Sequence, residues 1–240
     1  MGEPVFENVV FWNHFFVRFD GFMVVLLLLL VLTYFISPLF TQEVKTEMDS
    51  IVLSSEKGRR EIVTAKLLCG GLTSAVVAVV YLAGSFIGTF IGYGDLSGAN
   101  APARSLQGFG SSMLDMTVGG AAAFGAVWLI FATVIFGLAL SFISSKTKNQ
   151  SAAFGLGIVI LLAGSMSNYL GGKLVETIWP IVDFNFGSLS MFIAIFGGAK
   201  SYNLFGIPVS YGLAAFAVCL VLGIAAVLLT YLAQRKRSVL

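Results

Sequence analysis

Few residues in this chain of 240 could do chemistry: one histidine, two cysteines and twelve carboxylates. A single histidine, His14, excludes a histidine-based metal cluster, and any histidine-dependent triad would have to use that residue. Cys69 and Cys219 each fall inside an apolar run without metal-ligand or redox spacing, so both read as small buried hydrophobes. Asp115 with Asp95, or Asp183 with Glu176, are conceivable acid/base pairs, but nothing in the sequence fixes their geometry. No G-x-x-x-x-G-K-[ST] loop occurs, so the chain is not expected to bind ATP itself. Neither a catalytic residue nor a cofactor on this chain is expected.

The charges that do cluster lie in one segment, 41–66, TQEVKTEMDSIVLSSEKGRREIVTAK. Acid and base alternate there: Glu43, Lys45, Glu47 and Asp49, then Glu56, Lys57, Arg59, Arg60 and Glu61. Val44, Met48, Ile51, Val52, Ile62 and Val63 recur among them at helical spacing, and Ser54, Ser55 and Gly58 interrupt the middle. That pattern predicts an amphipathic helical hairpin with a turn at its centre. A loop that merely joins two elements could be far shorter.

The elements that must carry this hairpin are apolar. With 58% hydrophobic and 11% charged residues and a mean hydropathy of +0.94, the composition lies outside the range of soluble folds. A helix of about 20 residues crosses about 30 Å of hydrocarbon, and the long apolar runs predict an all-α, polytopic membrane fold with about five crossings. The expected spans are 22–40, 67–93, 118–143, 151–170 and 209–233. Residues 1–21 mix aromatics with Glu7, His14, Arg18 and Asp20, as an external helix lying in the interface would, and 22–240 form the transmembrane domain. Lys173, Glu176, Pro180 and Asp183 cut the region 171–207, which predicts short re-entrant or interfacial helices. Gly84, Gly88 and Gly92 form a GxxxGxxxG ridge suited to helix packing.

Basic residues set the orientation. The 41–66 segment, the link Ser144–Gln150 with Lys146 and Lys148, and the tail with Arg235, Lys236 and Arg237 share one side of a five-crossing arrangement. That side is expected to be cytoplasmic, with the C-terminus inside and the N-terminus of this chain outside. Glu3 and Glu7 stand where a signal peptide would be basic. The small net charge of +2 gives no reason to expect nucleic acid as a partner.

The run from Pro38 to Leu72, PLFTQEVKTEMDSIVLSSEKGRREIVTAKLLCGGL, resembles the corresponding segment of ABC-transporter permeases of the ABC type-2 class. The resemblance rests on Phe40, Thr41, Glu43, Leu53, Ser54, Ser55, Gly58, Arg59, Arg60 and Lys66, and the order of apolar and basic segments extends it from Phe22 onward. It implies a multi-pass subunit of a cell membrane, here a bacterial plasma membrane, working as a homo- or heterodimer with a second permease subunit in the lipid bilayer. It also implies a cytoplasmic ABC ATPase subunit that carries ATP and Mg and is contacted through the hairpin at Glu43, Glu47, Ser54, Ser55, Glu56, Lys57, Gly58, Arg59 and Arg60. The cargo it implies is amphipathic: a peptide, a drug or a lipid-linked molecule. Members of that class usually have six crossings, so a first helix upstream of Met1 is expected. A membrane sensor or assembly protein, or a secondary transporter or channel, is the alternative; the absence of charge well inside the spans weighs against proton coupling.

Overall fold

The computed structural model describes residues 8–45, 58–166, 183–204 and 206–235. The described chain is mostly helical. Helix α1 (Val10–Asp20) runs into α2 (Phe22–Ile36) and α3 (Pro38–Lys45); α4 (Gly58–Tyr93), α5 (Val118–Lys146) and α6 (Gln150–Met166) follow. Two five-residue helices, α7 (Phe186–Ser190) and α8 (Phe192–Phe196), precede a β-hairpin and the final helix α9 (Tyr211–Arg235). The hairpin departs from the all-α expectation: β1 (Ser201–Leu204) pairs antiparallel with β2 (Ile207–Ser210), and Gly206 turns it at φ +90°.

Four helical stretches are long and apolar enough to cross a bilayer: Phe22–Glu43, Arg60–Tyr93, Val118–Lys146 and Tyr211–Arg235. The fifth expected crossing, 151–170, corresponds to α6, followed for 17 residues to Met166, with 167–170 outside the described residues. At 1.5 Å per residue those 17 residues reach about 25 Å. The expected border between hairpin and span at residue 66 does not exist as a break. Helix α4 is continuous over 36 residues, about 54 Å, so the hairpin's second arm is an extension of the crossing itself.

Helix α1 is buried in protein along its aromatic face: Phe11, Phe15, Phe16 and Phe19 are almost wholly covered. Those rings join Phe109, Trp128 and Phe192 in the largest core cluster among the described residues. Gly21 makes the fold-back possible, because a Cβ there would stand 2.5 Å from the Val17 carbonyl oxygen.

Helix α5 lies at the centre, packed on α2, α3, α4, α6, α7, α8 and α9. Half of its most apolar stretch is buried, against 11% for α4. Helices α4 and α5 meet through small residues: a Cβ on Gly137 would be 1.9 Å from Ser74 Oγ, and one on Gly70 would be 2.7 Å from Ser141 Oγ. The glycine ridge lies apart from this contact. Nothing lies within 4 Å of a Cβ built on Gly84 or Gly92, and only Arg18 Nη1, at 3.0 Å, approaches one on Gly88. Among the described residues Gly84 and Gly92 are therefore open, and Gly88 is approached by α1 through Arg18.

Candidate functional site

The bundle has two chemically different ends. At one, α3, the start of α4, the α5–α6 link and the end of α9 converge, and Arg60, Lys66, Lys146, Lys148 and Arg235 are carried there. The two described ends of the 41–66 segment, 41–45 and 58–66, lie at this end.

The first arm begins at a break in the hydrogen-bond ladder. Pro38 has no N–H to give the preceding turn, and Ser37 Oγ donates instead to the Tyr34 carbonyl at 3.1 Å. Ser144 of α5, fully buried, reaches into the gap. Its hydroxyl accepts from Phe40 N at 3.1 Å and donates to the Ser37 carbonyl at 2.8 Å. Thr41 Oγ1 donates to the same carbonyl at 3.0 Å. One serine thus joins two polar groups of the break that have lost regular helical partners.

Glu43, among the residues expected to contact an ATPase subunit, is partly exposed, with its side chain at 33%, and reaches α4. Its Oε2 lies 2.6 Å from Lys66 Nζ, and the ammonium stands 4.6 Å over the Phe40 ring. The Lys66 side chain is only 13% exposed, so the pair is shielded more than a surface ion pair would be. Beneath it Phe40, Val63 and Leu67 form a small core flanked by Leu138, Val227 and Tyr231. Thr64 and Tyr231 share a hydrogen bond of 2.7 Å that ties α4 to α9. Beside α3 a cavity of about 630 Å³ is lined by Pro38, Thr41, Gln42 and Lys148 to Ser151.

Of the other hairpin residues singled out in the sequence, Glu47, Ser54, Ser55, Glu56 and Lys57 lie outside the described residues. Gly58 and Arg59 begin α4, and Arg60 is exposed one residue further on. The described residues therefore cover the two ends of the 41–66 segment.

The opposite end is aromatic and carries the remaining candidates. His14 stacks on Tyr93 with ring centroids 4.1 Å apart. Asp95 is engaged by the backbone N–H and hydroxyl of Ser97, which hold it below the usual carboxylate range, and by Asn8. Asp183 accepts hydrogen bonds from Tyr202 Oη and, at 3.3 Å and 3.4 Å, from Lys200 Nζ. Burial, then the Asp183 carboxylate, push the Tyr202 phenol up. Tyr211 Oη donates to the Asp183 backbone carbonyl at 2.5 Å, and Glu176, the suggested partner of Asp183, lies outside the described residues. Cys69 is exposed on α4, whereas Cys219 is buried on α9.

Sequence reasoning missed Asp20. It is 2% exposed, and its two carboxylate oxygens accept from Phe192 N at 2.5 Å and Ile193 N at 2.7 Å. Burial raises its pKa to about 7 against the pull of those two donors. Its only signal was position, as an acid directly before the Gly21 break. Of the span hydroxyls, Ser74, Thr133 and Ser141 bond to their own helix backbone, as such residues commonly do. Tyr81 instead reaches the carbonyls of Arg18 and Phe19 on α1.

Set against known proteins, the chain matches no family model and no curated relative. Its chemistry must be argued from its own geometry and from the resemblance carried by Pro38 to Leu72.

Proposed function

We propose that this chain is the membrane-spanning permease subunit of an ATP-driven ABC exporter of the type-2 class, paired with a second permease subunit and served by a separate cytoplasmic ATPase. The observation that carries the reading is the root of the 41–66 hairpin. Its first arm is tied to the second by Glu43 and Lys66, and to the central helix by Ser144. These ties satisfy polar groups at the root and also stiffen it, as a hairpin that takes a mechanical load from a partner requires, because rigid-body motion reaches the crossings only through stiff contacts.

In this reading the basic end faces the cytoplasm of a bacterial cell, as Lys and Arg near membrane segments favour. ATP and Mg belong to the partner, which docks on the hairpin tip around Glu47, Ser54, Ser55, Glu56, Lys57, Gly58, Arg59 and Arg60. Closure of the ATPase pushes the tip, and the bundle rearranges to release an amphipathic cargo outward.

The test is purification of the tagged full-length chain from its native membranes, followed by assay of vanadate-sensitive ATP hydrolysis in proteoliposomes. Turnover that travels with the chain and falls at least tenfold when Arg59 and Arg60 are both changed to Glu supports the proposal. A chain that brings no hydrolysis with it rejects the proposal and leaves a sensor or assembly protein, or a secondary transporter or channel, in its place.

A further inference from the structure

Resting on that reading, we infer that α3 is a lever, pivoted at Ser37–Pro38 and pinned by Ser144, and that the Glu43–Lys66 pair is the lock that makes both hairpin arms move as one body. Four observations carry it. First, the chain keeps helical angles through Ser37, at φ −54° and ψ −37°, while the ladder is interrupted, so the junction is directed like a helix but secured partly by side chains. Second, the side chain that secures it comes from α5, the helix packed on most of the bundle. Motion of α3 about the proline is therefore felt first by the central helix. Third, the far end of α3 is fixed to α4 by a shielded ion pair that also stands over Phe40, a residue of α3 itself. Fourth, α4 continues without interruption from the lock into its crossing, so whatever moves Lys66 moves that crossing.

With both fixings made, a displacement of the hairpin tip cannot be absorbed by splaying the arms. It passes into α4 as translation and into α5 through Ser144. With either fixing lost, α3 bends at Pro38 and the displacement dissipates at the root. This assigns Glu43, Lys66 and Ser144 to transmission. They are positioning residues and touch neither nucleotide nor cargo.

Reconstituted full-length complex supplies the test, with two quantities read on each variant: the amount of ATPase subunit that co-purifies, and the stimulation of ATP turnover by the permease over the isolated ATPase. Glu43→Lys and Lys66→Glu singly should leave co-purification within twofold of wild type and cut the stimulation at least fivefold. The double swap Glu43→Lys/Lys66→Glu should recover at least a third of it, the shortfall arising because a carboxylate then faces the Phe40 ring. Ser144→Ala should reduce stimulation at least threefold with docking unchanged. The lever is overturned if the single reversals keep full stimulation, if they lose docking in proportion to turnover, or if the swap does no better than the singles. If a single reversal does not assemble, the swap decides alone: recovered assembly and stimulation support the lock, and failure of either overturns it. A wild-type chain that stimulates no ATPase rejects the permease reading instead, and that control separates the two failures.

Discussion

At the residue scale the unexpected group is Asp20. A carboxylate covered to 2% exposure, with both oxygens on backbone N–H donors of α8, is a structural tie between the entry to α2 and the short helices near residue 190. Desolvation outweighs those donors, so the folded-state pKa, about 7, exceeds the ordinary value of 3.8. The sign follows from proton linkage. Between these two values the folded protein binds the proton that the unfolded chain has released, so this group's contribution to stability falls as pH rises from about 4 to about 7 and is constant above. The slope is bounded by one proton, about 1.4 kcal/mol per pH unit. Thermal unfolding of the purified protein in detergent, followed across that range, should lose this component in Asp20→Asn; an unchanged pH profile in the variant would assign the dependence to other groups. Asp20 was visible in the sequence only as one of several charges in an aromatic segment, since burial of a side chain depends on what folds over it.

At the scale of elements, two glycine patterns on one helix had different fates. The GxxxGxxxG ridge of Gly84, Gly88 and Gly92 is the more conspicuous, yet among the described residues only the Arg18 side chain of α1 comes near it, at Gly88. The working contact is the quieter pair of G-x-x-x-S patterns, Gly70 with Ser74 on α4 and Gly137 with Ser141 on α5, which interlock. Small residues permit close approach but do not select which face is approached. Gly137→Ala is therefore expected to destabilise by about 2 kcal/mol, as overpacked sites do. Ser74 Oγ could rotate aside, but Ser74 Cβ would remain 3.0 Å from the new methyl. Gly84→Ala and Gly92→Ala should change stability by less than about 0.5 kcal/mol, the usual range for open sites. Chemical unfolding of the three variants under one set of conditions checks the contrast, and equal losses at Gly84 and Gly137 would contradict it.

At the scale of the whole molecule the polarity of the bundle decides the membrane reading. The exterior of α4 presents Leu68, Leu72, Val76, Val80, Ile87 and Ile91, each more than half exposed, a surface that suits lipid and not water. Basic residues gather at the hairpin end, so in sealed vesicles of known sidedness, with Cys69 and Cys219 replaced by Ala, a membrane-impermeant maleimide should label Lys148→Cys from the cytoplasmic side. It should label Met113→Cys from the opposite side. Labelling of both from one side would refute the proposed orientation.

The sequence by itself determined that the chain is mostly helical with stretches long and apolar enough to cross a bilayer, where those stretches fall and which segment concentrates charge, because hydropathy and periodicity are local properties summed along the chain. It placed α2, α5 and α9 within a few residues of their observed limits, and it marked 41–66 as the segment to examine. Only the tertiary structure decided that α1 is core, that Glu43 pairs with Lys66 and that Ser144 closes the break at Pro38. Each of these depends on a partner distant in sequence: Ser144 is 107 positions from Ser37, and Phe192 is 172 from Asp20. No local pattern encodes which distant group will satisfy a buried donor or acceptor. That choice belongs to packing, where an unpaired buried polar group costs enough to select one arrangement over others.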